Sequence, residues 1–135
     1  MKKDIFIILT TILVFIPCVA LSQNYKRNKE KDKFVQNLGE CAAYYSIVAA
    51  GIKKSGDKNL SRKYAKMIDI TLKTSLVLSN SDLTMHNYSK AIVDQMSLMD
   101  RDFAKMGKLV KKYKDNCTWV FKVSKNRVQR WKGKK

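Results

Sequence analysis

One proline, at position 17, and five glycines in 135 residues leave this chain short of the turn chemistry that a sheet protein needs. No strand pattern is visible, and the expected fold class is all-α. Histidine is scarce too. The single one, His86, has Asp82 four residues before it but no companion nucleophile, so it reads as a surface side chain rather than a general base. The two cysteines outside the N-terminal apolar segment, Cys41 and Cys117, lack a Cys-x-x-Cys spacing and with one histidine do not make a four-ligand zinc site, so no metal is expected. Acids number 11 against 28 lysines and arginines, for a net charge of +17. A holdase switched by acid needs carboxylates that neutralise near its working pH, and few are present. No constellation supports a named reaction. The reading therefore contains no catalytic residue, no cofactor and no evident small-molecule substrate, and the protein is expected not to be an enzyme.

The N-terminus does carry an apolar run. Lys2 and Lys3 precede Ile5 to Ile16, and small residues follow at Ala20 and Ser22, which is the order of a secretory signal. About 20 apolar residues are needed to cross a bilayer core, whereas Thr10 and Thr11 interrupt this run and Pro17 closes it. A cleaved signal peptide over 1–22 is the expectation, with an uncleaved anchor as the alternative, giving a periplasmic or secreted protein. Cys18 belongs to that segment, and Phe15, Ile16 and Pro17 before it are not a lipoprotein sequence. Cleavage takes away two bases and one acid, leaving 26 and 10 and a formal charge of +16 on one compact domain. Such a charge attracts anionic partners without dictating a fold. Outside the cytoplasm those partners are an anionic membrane surface, lipopolysaccharide or an acidic protein, with nucleic acid a minor candidate.

Two cysteines remain after cleavage, Cys41 and Cys117, and an even count in a small exported chain reads as a disulfide with one possible connectivity. Residues 23–33 are polar, lack apolar periodicity and read as a mobile lead-in, with order beginning near Phe34. From there Phe34, Leu38, Cys41, Tyr45, Val48 and Ile52 alternate steps of four and three, the spacing of one buried helical face. On that phase Tyr45 faces the core and its neighbour Tyr44 points elsewhere, to cover the edge of a neighbouring helix or to line a ligand groove.

Ser55, Gly56 and Asp57 predict a stop and a cap. A second helix uses Leu60, Tyr64, Met67, Ile68, Thr71, Leu72, Ser75, Leu76 and Ser79, and Asn80 to Asp82 break the pattern again. A third runs through Met85, Tyr88, Ile92, Met96 and Met99, and Phe103, Met106, Val110 and Tyr113 continue its phase. One straight helix over all of these positions would be roughly 48 Å long and would carry Cys117 far from Cys41. A disulfide needs α-carbons about 5–6 Å apart, so the chain is expected to turn back at Asp100 to Asp102, with Asp102 capping a new helix at Phe103 and Gly107 as the second choice. The expectation is a small disulfide-closed bundle of about four helices over 34–121, followed by a basic segment over 122–135.

The run Cys41-Ala42-Ala43-Tyr44-Tyr45, with Tyr113, Cys117 and Trp131 near the other end, resembles a loose group of small exported bacterial proteins over roughly 34–131. The resemblance implies a helical fold with a cysteine pair and implies no activity.

The C-terminus holds the sharpest asymmetry, since residues 105–135 contain twelve basic residues and one acid, Asp115. Val120, Phe121, Val128 and Trp131 recur there at helical spacing, surrounded by Lys122, Lys125, Arg127, Arg130 and Lys132. A basic amphipathic segment with a tryptophan suits an anionic membrane surface. Lys122, Lys125, Arg127, Arg130, Trp131 and Lys132 are accordingly the candidate binding residues. The alternative is that the apolar residues dock on the bundle and the cations form a solvated face. Two functions remain open, a bacterial envelope protein that binds an anionic partner and a periplasmic inhibitor or immunity-type protein that occludes a secreted enzyme or toxin.

Overall fold

The structure, a computed structural model, describes the backbone of residues 2–132 and the side chains of 26–132. The expected signal peptide, 1–22, lies outside the residues whose side chains are described, as do 133–135 at the other end. Two compact units are present, Met1–Lys33 and Phe34–Lys135. The first is helical, and its described side chains are almost all solvated. Residues 23–33, expected to lack order, therefore belong to helix α1, Lys2–Ser55. Lysine, arginine and glutamate are good helix formers, and extending a helix costs far less than starting one. Packing, as distinct from helicity, begins at Phe34.

The second unit is an all-α bundle whose turns follow from a few polar residues. Gly56, at a φ of 91°, ends α1. Asp57 then caps α2, Lys58–Leu78, by accepting a 2.9 Å hydrogen bond from the Leu60 N–H. Asn80 caps α3, Ser81–Leu98, through a 2.8 Å bond from the Leu83 N–H. At the end of α3 the Arg101 N–H reaches back to the Met96 carbonyl at 2.8 Å and the Asp100 N–H to Ser97 at 2.9 Å, a Schellman closure. Asp100 and Arg101 take left-handed φ values of 54° and 57° to make it. Asp102 caps a short 3-10 turn, Phe103–Lys105, and α4 follows as Met106–Lys132. The reversal falls where Asp100 to Asp102 were expected to place it.

The packed half of α1 is the central element. Its Gly39 lies against α3 so closely that an added Cβ would sit 2.7 Å from the Asn87 Cβ and 3.0 Å from the Asn87 carbonyl carbon. Gln95 on α3 donates to the Glu40 carbonyl at 2.8 Å, and the Ser46 and Tyr88 hydroxyls meet at 2.9 Å. Ser61 on α2 reaches the Ala49 carbonyl at 3.4 Å. Against α4 the pairs are Phe34 with Trp131, Cys41 with Cys117 and Gly51 with Met106, a descending order that makes α4 antiparallel to α1. The Cys41–Cys117 disulfide closes this pair with α-carbons 5.2 Å apart.

Central placement explains why Tyr44, off the core stripe, is buried as deeply as Tyr45, each 2% exposed: it packs against a neighbouring helix, as one of its two expected roles required. Neighbours stand on more than one side of α1, so adjacent residues both face protein. On α3 the buried positions are Thr84, Ala91, Gln95 and the following Met99, not the expected Met85, which is exposed. Leu60 and Leu76, expected in the core stripe of α2, are exposed as well. Hydroxyl pairing accounts for part of the shift. The Ser75 and Thr84 hydroxyls meet at 2.9 Å and join α2 to α3 through a polar contact that apolar periodicity does not register.

Candidate functional site

Three of the ten described acids pair with nearby lysines, Asp69 with Lys73, Asp94 with Lys90, and Asp100 with Lys105 and Lys108. The hydrogen bond from Lys105, 2.8 Å long, is the main reason that the Asp100 carboxyl sits below its ordinary range. Beyond Lys108, the cations of α4 make no ion pair among the described residues, and seven of them between 111 and 132 are exposed. They extend over about 31 Å of helix. One acid, Asp115, interrupts them.

α4 passes through position 122 without a break, so the expected segment at 122–135 has no structural boundary at its start. The six candidate residues divide into three settings. Arg127 and Trp131 are half-buried and engaged with the bundle. Trp131 stands 5.4 Å from the Phe34 ring, and the Arg127 guanidinium lies over Phe34, Trp119 and Trp131 at 5.1, 5.2 and 5.6 Å. Each such contact contributes on the order of 0.5–1 kcal/mol near solvent, so this group ties the end of α4 to the beginning of the packed unit. Lys122 and Arg130 are exposed without a described partner. Lys125 and Lys132 border a groove shared with α2.

The docked alternative thus describes Trp131 and Val128, both packed against the core cluster, while the lysines remain solvated. Trp119 was missed. It is 46% exposed and is the aromatic side chain of α4 that meets water. Its phase, two residues from Cys117 and one from Val120, puts it off the core stripe and was a usable signal. The groove residues on α2 were missed as well, because Ile70, Thr74 and Val77 form a second stripe beside the core one.

A tyrosine group surrounds the disulfide. Tyr45 donates to the Cys117 carbonyl at 2.8 Å, and ring centroids lie 5.3 Å apart for Tyr44 with Tyr45, 6.3 Å for Tyr44 with Tyr113 and 6.0 Å for Tyr45 with Tyr64. Burial pushes the Tyr44 phenol up to about 12 and the Tyr45 phenol higher still. Both are neutral packing groups at any ordinary pH. His86 is exposed on α3, and among the described residues no three His, Cys, Asp or Glu side chains are grouped to hold a metal. No helix among them is long and apolar enough to cross a membrane. The disulfide is compatible with an oxidising compartment. Neither a family model, nor a curated protein, nor a solved structure matches this chain.

Proposed function

We propose that this is a non-enzymatic exported envelope protein, periplasmic or secreted, that attaches to an anionic membrane surface through the solvated face of α4. The observation that carries the reading is the row of exposed α4 cations left without acidic partners among the described residues. Near a membrane rich in anionic lipid each such cation contributes on the order of 1 kcal/mol. The bundle supplies a rigid support for them, because α4 is fixed at one end by Trp131 on Phe34 and near its middle by the disulfide. The signal-like N-terminus supports export, and the disulfide is consistent with it.

Co-sedimentation with phosphatidylglycerol vesicles at low and high salt tests the proposal. Binding should be strong at low salt, fall steeply as salt rises, and vanish on neutral phosphatidylcholine. Replacing Lys111, Lys122 and Arg130 with glutamine should weaken it without changing helicity. Trp119 serves as an internal probe, since its emission should shift to the blue on contact with the vesicle. Equal sedimentation on neutral vesicles, or none on anionic ones, refutes the proposal and brings forward the inhibitor or immunity-type reading.

A further inference from the structure

α2 and α4 leave an open groove of about 690 Å³ between them. That size falls within the ~300–1,000 Å³ range of small-ligand sites. Its carbon surface comes from Ile70 and Val77 on α2 and from Phe121 and Val128 on α4. Ile70 is 45% and Val77 49% exposed, apolar area that a ligand could remove from water. The hydroxyls lining the groove do not offset this character, because each is satisfied within its own helix. Thr74 donates to the Ile70 carbonyl at 2.8 Å and Ser124 to the Val120 carbonyl at 2.7 Å.

Charge sets the other requirement. Lys73, Lys125 and Lys132 border the groove and no acid lines it. Lys73 is paired with Asp69 at 2.8 Å, which leaves Lys125 and Lys132 as the cations without an acidic partner among the described residues. A small inorganic anion would meet the lysines and waste the apolar surface. A neutral lipid would do the reverse.

From this combination we infer that the α2/α4 groove takes one acyl chain of an anionic lipid, with Lys125 and Lys132 at its headgroup. The inference rests on the membrane-surface reading and deepens it. The lysine row brings the protein to the membrane, and the groove then holds a single lipid.

The test uses the full chain and three probes, each titrated by calorimetry. Dodecyl phosphate, kept below its micellar concentration, carries both features; dodecyl maltoside carries the chain alone and inorganic phosphate the charge alone. Dodecyl phosphate should bind saturably at one per chain. The maltoside should bind about tenfold more weakly or less tightly still, and inorganic phosphate should not saturate. Ile70→Asn with Val77→Asn, at two half-exposed positions, should weaken dodecyl phosphate by about tenfold while the melting curve is retained. Lys125→Gln with Lys132→Gln should remove the preference for phosphate over maltoside.

Three results overturn the inference: inorganic phosphate binding as well as dodecyl phosphate, an Ile70/Val77 variant that binds like the parent, or a self-association of the parent that this variant abolishes. Vesicle co-sedimentation of the same proteins separates the two readings. If the membrane reading fails, the parent shows no salt-sensitive sedimentation. If the groove reading alone fails, sedimentation is intact and dodecyl phosphate stays unbound.

Discussion

Removal of the Cys41–Cys117 bond is the perturbation whose size follows most directly from the fold. The two cysteines are 76 residues apart in sequence, and the chain-entropy model for a loop of that length gives about 4.5 kcal/mol at room temperature. Both side chains are fully buried, so Cys41→Ala with Cys117→Ala also gives up packing, at about 1 kcal/mol for each lost sulfur. Total stabilities of small domains are about 5–15 kcal/mol, and the double variant should therefore be marginal at room temperature. Chemical reduction isolates the loop contribution because the sulfurs remain in place. For a unit of about 100 residues it should lower the melting temperature by roughly 20 °C or more. Urea unfolding followed by far-ultraviolet circular dichroism, run on oxidised and reduced protein, measures the same quantity. The reduced protein should unfold at lower urea with a steeper dependence, since its denatured chain is free to expand. A loss below about 1 kcal/mol with an unchanged slope would refute the loop argument.

Two further predictions concern the core. Gly39→Ala forces a Cβ against the Asn87 Cβ and its carbonyl carbon, atoms that cannot swing aside. The overpacking cost of about 1–3 kcal/mol should exceed the ~1 kcal/mol gained in helix propensity, and urea midpoints will show whether the net sign is destabilising. Alkaline titration tests the tyrosine group. The folded state raises the Tyr44 phenol from 10.0 to about 12, so the stability it contributes is intact below pH 10 and is lost as the pH climbs toward 12. Near-ultraviolet absorbance should show Tyr44 and Tyr45 ionising only well above pH 10 and together with loss of the helical signal; ionisation of both near pH 10 on a folded protein would contradict it.

Much of the architecture was legible because this bundle announces itself through spacing and caps. Phe34, Leu38, Cys41, Tyr45 and Val48 lie on the stripe the sequence marks, and Asp57 and Asp102 cap where their positions suggested. What escaped has a common physical origin. A stripe identifies one buried face, whereas α1 is covered on several, and so the depth at which Tyr44 packs could not be read from it. Thr84 and Gln95 are buried polar residues whose partners lie on other helices, and a reading based on apolar recurrence passes over them. The excess charge of the C-terminus was plain. Its division was not, because which cations lie over rings, which border a groove and which stand in water depends on where α1 and α2 sit.

The pairing of α1 with α4 also bears on how the chain becomes a folded protein. The helix at the centre of the core is made first, and the helix that covers it is made last. Until residues near Cys117 are available, the apolar side chains of 34–52 have only part of their cover, and a chain stopped short of α4 leaves them exposed. Most helical bundles fold quickly because their contacts are local, but here the closing contacts join residues 55 to 97 positions apart, from Gly51 with Met106 to Phe34 with Trp131. The entropy of closing that long loop must be met before the core rewards it. Folding should accordingly be slow for an all-helical chain of this length and close to all-or-none, with the unfolded state persisting until the final helix is complete.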